Sequence, residues 1–206
     1  MIQGDSVEYD LLKKWCETLP FFEEPKSVTS CEIGVREGLG SQVIMLGLKA
    51  RIQDKPYEHI AIDPYNNIKY QHYDDTPEYT CDYTEDMKSQ MIKDFASNRN
   101  FSFYHMTDIM FMNLFNNGKK IFDLVHFDGP HMTKDVVREA VWFADRSRKG
   151  TRFIFDDYKK YGMESIDKTL SSGSIISKNG LTSLEFITRL NIFVIPLVTI
   201  SRLTSV

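Results

Sequence analysis

Three acids and a histidine stand at the ends of two apolar runs, spaced as a metal- or base-assisted reaction would need them. Residues 121–127 (IFDLVHF) lead into Asp128, a Gly129-Pro130 turn precedes His131, and a second apolar run, 153–155 (FIF), leads into Asp156 and Asp157. The stretch between is amphipathic, so the segment reads as a β-α-β unit. Its parallel strands bring their C-terminal ends to one sheet edge, where Asp128, Asp156 and Asp157 should converge. Clustered carboxylates repel one another unless protonated or bridged by a cation, and oxygen-only ligation suits a hard divalent ion such as Mg2+. Open α/β sheets also take their ligands at that edge. His131 is a candidate general base; its plain alternative is a cap or surface residue.

A second set lies upstream. In EIGVREGLGS (32–41), Gly34 and Gly38 flank a turn where backbone can pass close to a ligand, and the helix that follows offers free N–H groups. Glu32, just before, can meet a cationic or hydroxyl-bearing group. A dinucleotide fingerprint fits poorly, because Val43 stands at its third glycine. Asp63 ends an apolar run (HIAID) and is placed to accept from ribose hydroxyls; Asp108 follows another and can accept from an adenine amino group. Each may equally be a solvated acid or a helix cap.

These residues need a scaffold. Periodicity predicts an N-terminal helix over 6–19, acting as a flap or packing helix, then a strand over 27–35 and a helix over 42–50. A strand over 59–63 follows, then a polar, Tyr-rich stretch from Asn66 to Tyr83, long enough to be a lid or binding loop. Further on come a helix over 84–97, a strand over 101–106, a short Met- and Phe-rich helix from Asp108, and the acidic β-α-β unit. A helix over 164–170 and strand-like runs at 175–177, 184–188 and 192–197 close the chain. The pattern predicts a Rossmann-like, doubly wound, mostly parallel sheet with an antiparallel C-terminal end, in one domain spanning 1–206.

Composition narrows the partners. With 206 residues, 42% hydrophobic, 26% charged and a formal charge of −4, the chain offers no global reason to bind nucleic acid or an anionic membrane. The longest apolar candidate, Ile192 to Ile200, is too short for a bilayer and is broken by Pro196. No signal pattern opens the chain, so a cytoplasmic location is expected. Cys16, Cys31 and Cys81 are read as reduced thiols. A homo-oligomer is compatible with everything above.

Taken together, these residues resemble the class I S-adenosylmethionine-dependent methyltransferases over roughly residues 28–190. Glu32, Gly34 and Gly38 look like the family's first motif, which cradles the methionine part of the cofactor; Asp63 matches its ribose acid and Asp108 its adenine-side acid. DGPH followed one helix later by FDDY resembles the metal-dependent O-methyltransferases, in particular the macrocin and antibiotic-sugar branch. The resemblance implies that Asp128, Asp156 and Asp157 hold Mg2+, which binds neighbouring hydroxyls of a small sugar or catechol acceptor. Asp128 then also borders the cofactor and joins His131 as a catalytic candidate. Pro130 stands where that branch often has a proposed base, His131 where catechol-type enzymes have a lysine, and Gly40 where many relatives have serine. Rival readings are a metal-independent methyltransferase and an inactive cofactor-binding interaction domain.

Overall fold

Continuous burial along the central strands, on both faces, explains how this sheet is built. A computed structural model describes residues 9–21, 24–66, 69–70, 79–80, 83–118, 120–130, 132–156 and 193–196. The order is α1 (Tyr9–Glu17), β1 (Val28–Ile33), α2 (Leu39–Ile52), β2 (Tyr57–Ile62), the short strands β3 (Lys69–Tyr70) and β4 (Tyr79–Thr80), α3 (Glu85–Phe95) and β5 (Phe101–Tyr104). Then follow α4 (Asp108–Leu114), β6 (Phe122–Phe127), α5 (Thr133–Ala144), β7 (Ser147–Phe155) and β8 (Phe193–Pro196).

The main sheet has the order β5-β2-β1-β6-β7-β8, and each of its described pairings is parallel. On one face Cys31, Ile33, Val125, Phe127, Phe153 and Phe155 pack against Val136, Ala140 and Phe143 of α5 and Phe111 of α4. On the other, Val28, Leu124 and Ile154 meet Ile44 and Leu48 of α2 and Leu12 and Cys16 of α1. Both faces are covered, as a parallel sheet requires. The α1–α2 contact is close because α2 carries Gly47, where a Cβ would come within 2.8 Å of the Lys13 carbonyl.

The doubly wound architecture matches expectation, with one difference at its end. The C-terminal strand described here, β8, runs parallel to β7, with Phe153 opposite Val194, so the expected antiparallel end is not seen among the described residues. The 37 residues between these strands' ends give ample length for a crossover, which a parallel pairing needs. The runs at 164–170, 175–177 and 184–188 lie outside the described residues. The stretch read as a lid contains the antiparallel pair β3–β4, and its ends are joined by a 2.6 Å hydrogen bond from the Asn66 N–H to the Tyr83 carbonyl. Of the Met and Phe group on α4, Phe111 and Met112 are buried, whereas Met110 and Leu114 are exposed. Cys16 and Cys31 are buried free thiols, as read; Cys81 is outside the described residues. Among the described residues no helix is long and apolar enough to cross a membrane.

Candidate cofactor and catalytic site

The chain winds from β1 outward to β2 and β5, then returns to the other side of β1 for β6 and β7. The crevice at such a reversal, beyond the strands' carboxyl ends, is where open α/β sheets bind ligands. Gly34 follows β1 there and Asp128 follows β6. The two turns are in backbone contact: a Cβ on Gly34 would overlap the Asp128 carbonyl, and one on Gly129 would lie 2.7 Å from Ile33 Cγ2. Gly34 also has φ +85°, so close approach and conformation both demand glycine. The Asp128 N–H donates to the Ile33 carbonyl at 2.8 Å and locks the arrangement.

Glu32 lies one pleat below this crevice, 1% exposed. His126, opposite it on β6, bonds its Oε1 through Nδ1 at 3.0 Å, and the Ser41 hydroxyl donates to Oε2. His59 reaches Ser41 Oγ through Nε2 at 2.9 Å and meets Ser30 Oγ through Nδ1 at 2.8 Å. One consistent proton arrangement runs Ser30 to His59 to Ser41 to Glu32. Burial pushes the Glu32 carboxyl up, but the hydrogen bond from His126 and the nearness of His59, 3.9 Å from Oε2, outweigh it and hold the pKa at about 2. Glycine at position 40 has a local cause: a Cβ there would overlap Glu32 Oε1.

Asp63, just past β2, is 1% exposed and braces the glycine turn. Its Oδ2 accepts from the N–H groups of Val35 (2.8 Å) and Arg36 (3.1 Å), and its Oδ1 from that of Tyr65 (2.9 Å). Burial raises its pKa, and those three N–H groups oppose the rise. We expect Asp63→Ala to cost about 1.5–3 kcal/mol of cofactor affinity, the range for hydrogen bonds to a charged group, together with a lower melting temperature as the turn loses its acceptor. Calorimetry and thermal unfolding check this; unchanged values in both would remove Asp63 from the site.

The acids expected to hold a metal are partly in view. Phe127 pairs with Phe155, so Asp128 and Asp156 occupy matching positions beyond adjacent strands, and the Asp156 N–H donates to the Phe127 carbonyl at 3.0 Å. Asp156 is 8% exposed, and its Oδ1 has no hydrogen-bond partner among the described residues. A buried carboxylate oxygen left in this way is costly unless a cation or donor meets it. Asp157 and His131 lie outside the described residues. Among the described residues no three His, Cys, Asp or Glu side chains are grouped to hold a metal.

Residues 31–158, more than half of the chain, match the family described as the methyltransferase domain. The chain belongs to this family. The matched segment opens one residue before Glu32 and closes one residue after Asp157, so it takes in the glycine turn and all three acids. Membership implies S-adenosylmethionine as the cofactor of this methyltransferase domain. No curated protein matches the chain.

Within the methyltransferase domain the adenine-side candidate is heavily engaged. Asp108 is the first residue of α4, 3% exposed, and Thr107, whose hydroxyl accepts from the Met110 N–H at 3.2 Å, supplies the cap. Arg138 of α5 donates to Asp108 Oδ2 at 2.6 Å and also pairs with Asp135 at 3.2 Å. Burial, followed by the charge of Asp108 and a hydrogen bond to it, pushes the neighbouring Glu139 carboxyl well above the usual range. Asp108 thus ties α4 to α5, and an adenine amino group would have to share it.

A small cavity at the glycine turn is lined by Tyr9, Glu32, Gly34, Arg36, Tyr83 and Asp128, among others. Larger clefts of about 600 and 870 Å³ open where the strands begin, at the opposite edge, away from these acids. Tyr9 and Arg36 line this cavity, and pattern reading misses both. Arg36 sits inside the quoted motif, but its type is not part of that motif; Tyr9 comes from the separate helix α1, with no local signal.

Proposed function

We propose that this methyltransferase domain transfers the methyl group of S-adenosylmethionine to a hydroxyl of a small diol-bearing acceptor, a sugar or a catechol, with a divalent ion such as Mg2+ held by Asp128, Asp156 and Asp157. The observation that carries the reading is the buried Oδ1 of Asp156, which has no hydrogen-bond partner among the described residues, beside Asp128, whose own backbone abuts the glycine turn. Donor and acceptor sites then share one wall. All-oxygen donors at adjacent strand ends fit a hard cation.

The transfer is an in-line displacement: the acceptor oxygen bonds the methyl carbon, the carbon–sulfur bond breaks with its electron pair going to sulfur, and the hydroxyl proton leaves to a base. The cofactor supplies a methyl group on a positively charged sulfur, and a bound divalent ion supplies acidification of the acceptor hydroxyl. Gly34 lets the backbone approach the donor, while Glu32, fixed by His126 and Ser41, keeps a negative charge beneath it. Positioning and electrostatics carry most of the rate.

His131 is the proposed base. His131→Ala should slow turnover while leaving cofactor affinity unchanged; full turnover in the variant would hand the role to water or another residue. The reaction class is tested by incubating the protein with S-adenosylmethionine, Mg2+ and a panel of vicinal diols, and locating the methyl group by mass spectrometry. Methylation at oxygen is expected. Cofactor binding without transfer to any diol would favour the inactive binding domain.

A further inference from the structure

The main sheet ends on a strand whose outer edge is open. β5 stands last in the strand order and pairs with β2 alone. In a parallel ladder every second residue bonds the neighbour, and here the Asn100 carbonyl takes the His59 N–H at 2.7 Å and the Tyr104 carbonyl takes the Asp63 N–H at 3.3 Å. Phe103, out of step with these, turns its N–H and carbonyl to the outer edge, where neither has a hydrogen-bond partner among the described residues. Edge strands are commonly blunted by lysine, proline or a bulge. The Phe-Ser-Phe-Tyr of β5 contains none of these.

The helix beside this edge has a matching character. α4 covers the end of β5, with the Phe111 and Phe115 rings 5.2 and 5.5 Å from that of Tyr104 between centroids. Met110 and Leu114, one turn apart on the same helix, are nevertheless 58% and 62% exposed. From Ile109 to Gly118 no residue is charged. On the opposite face of the sheet, α3 exposes Ile92 but carries Lys88, Lys93 and Asp94 around it. An apolar pair on an uncharged helix, next to a bare strand edge, is a surface made to be covered.

We propose that β5 and α4 form the contact surface of a homodimer, in which a second copy of this chain pairs antiparallel with β5 across a twofold axis near Phe103. A strand edge is self-complementary in that orientation: the Phe103 N–H donates to the carbonyl of Phe103 in the second copy and receives the reciprocal bond. Such an axis stands perpendicular to the sheet, so the two α4 helices land on the same face and their Met110 and Leu114 side chains close over the joint. One pair of hydrogen bonds holds little alone, and the apolar burial supplies the rest. A foreign strand would gain the hydrogen bonds yet bring no matching surface to α4. The contact is isologous, so assembly closes at two.

The test is sedimentation velocity of the full chain over about 1–200 μM, the range in which a contact of modest size dissociates. Wild type should show a monomer–dimer equilibrium. Leu114→Glu and Leu114→Lys should each weaken it by about tenfold or more, because the axis brings like charges together on an uncharged surface. An equimolar mixture of the two variants should restore the dimer, since opposite charges then meet across the axis. Hydrogen exchange reads the edge itself: the Phe103 amide should be protected in the wild-type dimer and exposed on dilution and in Leu114→Glu. Thermal unfolding checks that the variants fold; if the Leu114 pair does not, Met110→Glu and Met110→Lys replace it. A wild type that is monomeric at every concentration, a dimer that either charge leaves intact, a mixture that stays monomeric, or a Phe103 amide that exchanges freely in the dimer would each overturn the proposal.

Discussion

Treatment with EDTA, or the substitution Asp156→Asn, should lower methyl transfer by about 10³-fold or more while S-adenosylmethionine still binds. The size follows from the several kcal/mol that a Lewis acid would contribute by acidifying and positioning the acceptor hydroxyl. Asparagine keeps the size of the side chain, and the backbone hydrogen bond from residue 156 to the Phe127 carbonyl is untouched, so folding should survive. Without metal the variant should even match or exceed wild type in melting temperature. Neutralising one of two neighbouring acids removes repulsion, and burying a neutral amide costs less than burying a carboxylate. Adding Mg2+ should raise the wild-type melting temperature near neutral pH by mass action and raise that of the variant less. The glycine turn follows β1, one strand beyond β6 from Asp156, so cofactor affinity should change little. Turnover that resists EDTA would sink the metal mechanism and return the acids to the metal-independent reading, leaving the methyltransferase domain intact.

The acidic β-α-β unit was legible because two short apolar runs flank an amphipathic stretch within 38 residues, 121–158, and the acids stand where each run stops. The glycine turn was legible for a similar reason: Gly34 is demanded by backbone contact as well as by φ, and such positions tolerate little else. The length of β7 was not. Sequence pattern places it at 153–155, whereas it begins at Ser147, because its early residues are basic and their partners are distant. Arg148 pairs with Asp123 at 2.5 and 2.8 Å, and Arg152 reaches the Trp15 carbonyl and Thr18 on the far side of α1. A charged strand of this kind is held by partners in other elements, which periodicity does not see. The same limit hid the role of Asp63 and Asp108: both were expected to face the cofactor, and both are spent in part on backbone N–H groups or on Arg138. An acid at a strand end reads identically in sequence whether it faces ligand or protein.

The buried carboxylate of Glu32 should be the strongest single electrostatic determinant of the acid response, and its sign can be worked out. Its folded pKa, about 2, lies below its ordinary value of 4.5, because the hydrogen bond from His126 and the neighbouring His59 overcome the burial that would raise it. A depressed carboxylate stabilises the fold fully above the unfolded value and loses that contribution as pH falls through the folded one. The window is therefore from about pH 4.5 down to about 2, and the contribution near neutrality is on the order of 3 kcal/mol. Asp63 and Glu139 act in the opposite direction. Their pKa values are raised by burial, so their contributions grow on acidification and mask part of the loss in the whole protein. Comparing wild type with Glu32→Gln cancels the Glu139 contribution and leaves of the Asp63 one only the change that the Glu32 charge makes to it, burial being its main cause. The variant keeps the side-chain volume against Gly40 and loses the charge, leaving His126 facing a neutral amide at 3.0 Å. Denaturant unfolding should show a stability deficit of about 3–5 kcal/mol at pH 7, the range for one partner removed from a buried pair, and the deficit should shrink steadily between pH 4.5 and 3. A deficit that stays constant across that window would mean that Glu32 holds this region by shape and hydrogen bonding rather than by its charge.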